Sequence, residues 1–405
     1  MKELVINCGS SSLKYTMFEM PEGTELCSGI FEQLETPYPT FTHKLPDESG
    51  EMKKVINKES MDANANHADA IKKLVSVLLD SKFGVISDIH EIKAVGHRVL
   101  HGGEKFSESI VVNEDVKQAI ADCIPLGPLH NPANLKGINA FEDLLPGVPQ
   151  VAVFDTAFHH TMPDYAYMYA LPYKYYEQDG IRRYGFHGTS HRYVTKRCLD
   201  LLGNPEHSKI VTCHLGNGSS ISAVVDGKCF DTTMGLTPLE GIMMGTRCGS
   251  IDPAIVTTIM KKHNLTPDEM DKLMNKESGM LGIAGTSDNR TIESRSKDGD
   301  EKAQLVENML CHQLSKYIGG FAAAMGGVDA VVFTGGIGEN NPHYRTRIAE
   351  KLAFLGVGID EEKNSIRGEE VEISKAGSNV KLFVIPTNEE LMIAQDTYGL
   401  VSASI

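Results

Sequence analysis

The feature that most constrains this chain is an internal echo. The segment from Ile6 reads Ile-Asn-Cys-Gly-Ser-Ser-Ser, and the segment from Cys213 reads Cys-His-Leu-Gly-Asn-Gly-Ser. Each is a short apolar strand running into a small-residue turn. A second strand and a second turn follow, at residues 21–23 in one copy and 226–227 in the other. Gly9 aligns with Gly216, Ser12 with Ser219, and a polar residue ends each first strand, Asn7 and His214. One such hairpin near the start of each half points to duplication. Two similar domains would face each other across a cleft, each offering a hairpin turn. At 405 residues the chain is long enough for two or three domains with full cores.

The rest of the pattern alternates apolar strands with amphipathic helices, the signature of α/β domains. Strands are expected over 4–7, 13–18, 95–100, 150–154, 329–333 and 381–386, with another beginning at Lys209. A helix over 65–80 places Ala68, Ile71, Leu74, Val75, Leu78 and Leu79 on one face. A longer one over 302–325 stops at Gly326 and Gly327. Asn341 and Pro342 read as N-cap and first residue of a further helix, and residues 389–398 as a terminal one. The division this suggests is residues 1–154 plus 391–405 as a first domain and 155–390 as a second.

Charge narrows the function. With 39 basic against 54 acidic residues the net charge is −15, which excludes a general binder of nucleic acid or anionic membrane. An anionic substrate must therefore be met by local basic groups, so isolated arginines become informative. The eight cysteines form no C-x-x-C pair and read as free thiols of a reducing cytoplasm. The apolar run at the N-terminus is too short for a signal peptide, and no 18-residue apolar run predicts a membrane span.

The turn from Asn7 to Lys14 is suited to an anion. Small residues let the backbone approach a phosphate, and successive N–H groups form a nest. Ser10 and Ser12 add hydroxyl donors, Lys14 a point charge, and Asn7 a group able to orient a metal-bound water. A plain β-hairpin accounts for the same residues, and no Walker pattern occurs. The second turn, His214-Leu-Gly-Asn-Gly-Ser-Ser, repeats the logic with Asn217 as donor. A third segment, Thr334-Gly-Gly-Ile-Gly-Glu-Asn, follows a strand and precedes a helix, where α/β proteins bind nucleotides. Three glycine turns at strand ends point to a phosphate or nucleotide ligand.

Arg98 lies in Gly96-His-Arg-Val-Leu-His-Gly-Gly and Arg247 in Met243-Met-Gly-Thr-Arg-Cys-Gly-Ser. An arginine among small residues has little packing purpose; it can clamp a carboxylate or steady charge on a transferring phosphoryl group. Each could equally be an ion-paired surface residue. Asp155 ends a strand, as catalytic or metal-associated carboxylates do, or serves a turn. Glu389 follows the 381–386 strand, where a first-turn helix glutamate is favoured by the dipole. His187 and His191 have the i,i+4 spacing of zinc ligands on a helix, but Gly188 makes a helix there doubtful, and zinc is set aside.

Together these segments resemble the acetate kinase family over essentially the whole chain. The resemblance rests on Leu4-Val-Ile-Asn-Cys-Gly-Ser-Ser-Ser-Leu-Lys, Gly96-His-Arg-Val-Leu-His-Gly-Gly, Phe154-Asp-Thr-Ala-Phe-His and Tyr184-Gly-Phe-His-Gly-Thr-Ser-His. It continues in His214-Leu-Gly-Asn-Gly-Ser-Ser, Gly241-Ile-Met-Met-Gly-Thr-Arg, Gly335-Gly-Ile-Gly-Glu-Asn and Pro386-Thr-Asn-Glu-Glu-Leu. It implies two duplicated RNase H-like domains of the actin-like ATPase type with an interdomain cleft, and reversible phosphoryl transfer between ATP and acetate.

By position, the resemblance assigns Mg²⁺ or Mn²⁺ to Asn7 and Glu389, and the phosphates to Ser10, Ser12 and Lys14. Arg98 would hold the acyl carboxylate, with the methyl group against Leu129, Phe186 and Pro238. Asp155, His187 and Arg247 would be catalytic. His214, Leu215, Gly216, Asn217, Gly218, Asp288, Asn289, Arg290, Gly336, Ile337, Gly338, Glu339 and Asn340 would line the ATP/ADP site. A cytoplasmic homodimer is also implied, the second domain forming the dimer contact. Where the family often has a second valine after the arginine, this chain has Leu100, which alters the acyl pocket. Propionate kinase is the same chemistry with one more methylene. A non-catalytic nucleotide switch of the actin or Hsp70 type is the rival from another class.

Overall fold

The computed structural model describes residues 1–128 and 130–404. They form two compact units: Met1–Ala157 joined by the residues from Asn388 on, and Phe158–Thr387. Asp155 and Glu389 both belong to the first unit.

The first unit is built on the strands β1 (Lys2–Cys8), β2 (Leu13–Glu19), β3 (Thr24–Glu32), β4 (Thr40–Pro46), β5 (Met52–Ser60), β6 (Ile92–Val99), β7 (Ile110–Val111) and β8 (Gln150–Phe154). They form one sheet in the order β5-β4-β3-β2-β1-β6-β8-β7. The second unit holds β9 (Lys209–Leu215), β10 (Ser219–Val225), β11 (Lys228–Thr232), β12 (Ala330–Thr334), β13 (Val371–Glu372) and β14 (Lys381–Val384). Their order is β11-β10-β9-β12-β14-β13.

The run β3-β2-β1-β6-β8-β7 has the same sequence of pairings as β11-β10-β9-β12-β14-β13: antiparallel, antiparallel, parallel, parallel, antiparallel. The duplication read from two turns thus extends to whole sheets, each of the RNase H-like type. Two details differ. β4 and β5 extend the first sheet alone, and β5 is exposed along most of its length, so it carries no apolar alternation to read. The β9–β10 turn is also one residue shorter, so the residues that face each other are Asn7 and Lys14 in one hairpin and His214 and Ser220 in the other.

The first sheet is covered on both faces. Leu4, Ile6 and Cys8 pack with Ile71 and Leu74 of the helix His67–Leu78. Val5, Ala94 and Val151 pack with Ile393, Ala394 and Val401 of the helix Glu389–Val401. That helix approaches β6 at Gly96, where a Cβ would come within 2.7 Å of Ile393 Cγ2, a contact only glycine permits. In the second unit the helix Glu301–Met325 buries Val306, Leu310, Leu314, Ile318 and Phe321, each worth about 1.5–3 kcal/mol of transfer from water. Gly326, left-handed at φ 70°, ends it. Asn341 caps the helix Pro342–Lys351 by accepting from the Tyr344 amide at 3.0 Å.

One helix corrects the sequence reading. Gly188 made a helix beside His187 doubtful, yet Gly188–Leu201 is helical, with His187 as its N-cap residue at φ 59°. A residue with a Cβ pays about 1–2 kcal/mol for that conformation. The buried face of this helix carries Thr189, Ser190, His191 and Thr195, so apolar periodicity could not announce it. The segment Gly335–Asn340, expected as a loop, is a short helix leaving β12.

Candidate active site

In the first unit, β6 and β8 run parallel and end side by side, with Val99 opposite Phe154. This register brings Arg98 to Asp155. Arg98 Nε donates to Asp155 Oδ1 at 3.0 Å and Nη2 to Oδ2 at 2.6 Å, a bidentate pair that leaves Nη1 for another anion. Burial opposes the Arg98 charge, but Asp155 outweighs it, with Glu389 and Glu390 adding, so the guanidinium is held above its ordinary value. Asn7, Lys14, Arg98, Glu389 and Glu390 line one small cavity. Burial raises the Glu389 carboxyl to about 7 against the pull of Arg98, and Asp155 and Glu390 push in the same direction as burial.

The neighbouring turn is tight: Gly9 N donates to Ser12 O at 2.8 Å, with Ser10 and Lys14 exposed. Leu100 is buried beside Gly127, where a Cβ would lie 3.1 Å from Leu100 Cδ2. Its backbone N–H donates to Asn134 Oδ1 at 3.1 Å. Leu129, expected against the acyl methyl, lies outside the described residues.

In the second unit, two expected residues meet at Gly218. The point where a Gly218 Cβ would sit is 3.4 Å from both His187 Nε2 and Arg247 Nη1. A side chain there would fill the space these two groups share. Arg247 Nη1 donates to the Pro238 carbonyl at 2.9 Å and approaches Met244 Sδ at 3.6 Å. No carboxylate of the described residues pairs with it, and burial alone lowers its pKa. His187 stacks on His214 with ring centroids 4.2 Å apart. His214 Nδ1 lies 2.8 Å from Ser190 Oγ, which is 2.7 Å from Thr387 Oγ1. Phe186 is fully buried.

A cavity of about 520 Å³ gathers Gly216, Asn217, Asp288, Asn289, Arg290, Gly336, Ile337 and Asn340, all expected at the nucleotide site. Its size is that of a cofactor pocket. Asp288 caps the helix Asn289–Lys297, accepting from the Arg290 amide at 3.1 Å. The other expected nucleotide residues do not line it. Leu215 is core, Gly338 is buried, and His214 and Gly218 sit with His187. Glu339 Oε1 turns inward to accept from Gly335 N at 2.7 Å and Thr387 N at 3.1 Å, bracing the segment. Sequence reasoning missed Arg367, which lines this cavity and donates to the Asn340 carbonyl. Arg367 is followed closely by Glu369 and Glu370, so in sequence it reads as an ion-paired surface residue and not as an arginine set among small residues. It also missed Glu390, adjacent to Glu389.

The sequence profile of the acetokinase family matches residues 2–395. The chain belongs to the acetokinase family. It is 53% identical to the acetate kinase of Thermoanaerobacterium thermosaccharolyticum over the full length of both. Among solved structures it resembles the Porphyromonas gingivalis acetate kinase, at 48% identity, 99% coverage of each chain and a TM-score of 0.91. It is equally close in fold to a propionate kinase from Francisella tularensis, at 42% identity, 98% of this chain and 99% of that one, with a TM-score of 0.91. This acetokinase frame matches the duplicated sheets and the glycine turns at their strand ends. Among the described residues no helix is long and apolar enough to cross a membrane.

Proposed function

We propose that the chain is an ATP:acetate phosphotransferase that forms acetyl phosphate and ADP reversibly, by direct in-line transfer. Full-length relatives named acetate kinase support the reaction, and the observation that carries its assignment to these residues is the convergence of His187 and Arg247 on Gly218. A nucleotide switch needs no such pair. The first unit contributes the carboxylate clamp, Arg98 oriented by Asp155. The second contributes the nucleotide residues around the 520 Å³ cavity.

Both reactants are anions, so catalysis is positioning and charge compensation around a loose, metaphosphate-like transition state. Arg98 fixes the nucleophile through its Nη1 side. No general base is required, because a small carboxylate is ionised at neutral pH. Arg247 and His187 stabilise charge on the equatorial oxygens. Ser10, Ser12 and Lys14 face the phosphates.

Asn7 and Glu389 fit a hard divalent ion, Mg²⁺ or Mn²⁺. They supply oxygen donors only, and no cluster of three or more His, Cys, Asp or Glu among the described residues is suited to a metal. Mg²⁺ takes one or two protein ligands and keeps the rest of its shell as water and substrate phosphate. When bound, it neutralises phosphate charge.

Propionate is the second substrate to test. One methylene is worth only about 1–3 kcal/mol of discrimination, and Leu100 sets part of the local volume. The eight cysteines, all free thiols, support work in a reducing cytoplasm. Exposed Tyr165, Leu171 and Tyr173 in the second unit support a homodimer contact there. The deciding experiment is a hydroxamate assay with ATP and Mg²⁺ against acetate, propionate and butyrate, with ATP hydrolysis measured in the absence of acid. Acyl phosphate from acetate is the expected result. Hydrolysis without acyl phosphate from any acid would overturn the reading in favour of a switch.

A further inference from the structure

His187 lies at one end of a short hydrogen-bonded chain that the proposed mechanism does not use. Its Nδ1 is 2.9 Å from Ser220 Oγ. The same oxygen is 2.7 Å from His191 Nε2, and His191 Nδ1 is 2.7 Å from Thr212 Oγ1. Ser220, His191 and Thr212 are all buried. We infer that Ser220, backed by His191 and Thr212, fixes His187 as a neutral imidazole with its proton on Nε2, so that it serves as an uncharged hydrogen-bond donor. This rests on the proposed role of His187 and specifies its protonation.

The inference follows from counting protons. His191 is buried, and the rings of His159 and His214 lie 5.8 and 6.3 Å away; burial first and these neighbours second favour its neutral form. A neutral imidazole has one N–H, so the chain has two self-consistent settings. In one, His191 donates to Thr212, Ser220 donates to His191, and His187 must donate from Nδ1. In the other, Thr212 donates to His191 Nδ1, His191 donates to Ser220, and Ser220 donates to His187 Nδ1.

Two features keep His187 from taking up a second proton. Arg247 Nη1 and His187 Nε2 face the same point above Gly218, so a second cation there is disfavoured. His187 is also the N-cap residue of the helix Gly188–Leu201, whose positive dipole end opposes an imidazolium. Between the two neutral forms the proposed role of His187 decides: the first setting would present a lone pair to the phosphoryl oxygens and repel them. The second presents an N–H donor.

Ser220, His191 and Thr212 are therefore positioning residues. Their effect is to choose a tautomer, as a partner on the far ring nitrogen does in other histidine sites. Long-range ¹⁵N–¹H spectra of the intact enzyme test this directly, with His187 assigned by comparison with His187→Asn. The expected pattern is a protonated Nε2 and an unprotonated Nδ1; a protonated Nδ1 would overturn the assignment.

Kinetics give the second arm. Ser220→Ala should lower kcat roughly 10- to 100-fold at nearly constant KM for ATP and acetate, the size of loss seen when a partner that fixes a histidine's tautomer is removed. Ser220→Thr, which keeps the hydroxyl, should recover most of the loss. If His187→Ala loses turnover but Ser220→Ala stays within twofold of wild type, the positioning role fails while the role of His187 stands. If His187→Ala itself retains turnover, the proposed role of His187 fails. A Ser220→Ala protein that does not fold leaves the wild-type spectra to decide.

Discussion

Arg98 and Arg247 sit in different units and are held in opposite ways. Arg98 is clamped side-on by a carboxylate, Nε and Nη2 both engaged by Asp155. Arg247 rests on a carbonyl and a thioether, neutral groups that fix its place without cancelling its charge. The first arrangement gives a stable, oriented fork whose net charge is largely spent. That suits binding a small carboxylate that changes little as the reaction proceeds. The second leaves a desolvated positive charge uncompensated. Such a charge is most effective where negative charge grows in the transition state. The pair teaches that two arginines with similar small-residue neighbours in sequence can be held in opposite electrostatic states, which on the proposed mechanism suit binding and transition-state stabilisation respectively.

Removing the uncompensated charge should cost most. Arg247→Ala is expected to lower kcat by on the order of 10³-fold or more, with KM for acetate little changed, in steady-state kinetics on folded protein. Near-normal turnover would end the distinction. Arg98→Lys keeps charge but loses the fork. It should raise KM for acetate about 10- to 100-fold while lowering kcat less, the loss of hydrogen bonds to a charged group. Gly218→Ala sharpens the comparison from the other side: its Cβ would sit 3.4 Å from both His187 and Arg247. A kcat loss of about tenfold or more is expected, with an unchanged melting temperature.

The smallest effect on activity concerns a carboxylate with no clamp at all. Glu3, on β1, is fully buried, and among the described residues neither of its oxygens has a hydrogen-bond partner, unlike Asp155. Burial raises it to about 8, only partly offset by the N-terminal amine. The unfolded chain releases this proton near the ordinary glutamate value of 4.5. Between those values the folded state binds more protons, so stability falls as pH rises. Glu3→Gln cannot ionise. It should match wild type near pH 4.5 and be more stable at pH 8, by on the order of 3 kcal/mol, in thermal melts with turnover retained. Equal stability at both pH values would remove the contrast with Asp155.

The repeat was legible because strand, glycine turn and strand lie within a dozen residues; the helix His67–Leu78 was legible from its apolar face, and the boundaries at Asn341 and Gly326 from their local residue types. What escaped notice depends on distance or on polarity. Arg98 and Asp155 were each singled out, but their pairing arises from the parallel register of β6 and β8, which no local pattern encodes. Ser220 and His191 join only through folding, and Thr212 sits in an apolar strand as an ordinary β-branched residue. β5 and the helix Gly188–Leu201 show weak apolar patterns because one is exposed and the other buries polar groups.

The helix Glu389–Val401 has a consequence for synthesis. It covers β1, β6 and β8 and brings Glu389 to Arg98, yet the ribosome makes it only after the whole second unit. Domains otherwise tend to fold in order of emergence. Here the N-terminal sheet leaves the ribosome with one apolar face bare, and it cannot mature until the second unit has emerged. A nascent chain therefore carries an uncovered apolar sheet face until its last helix is made.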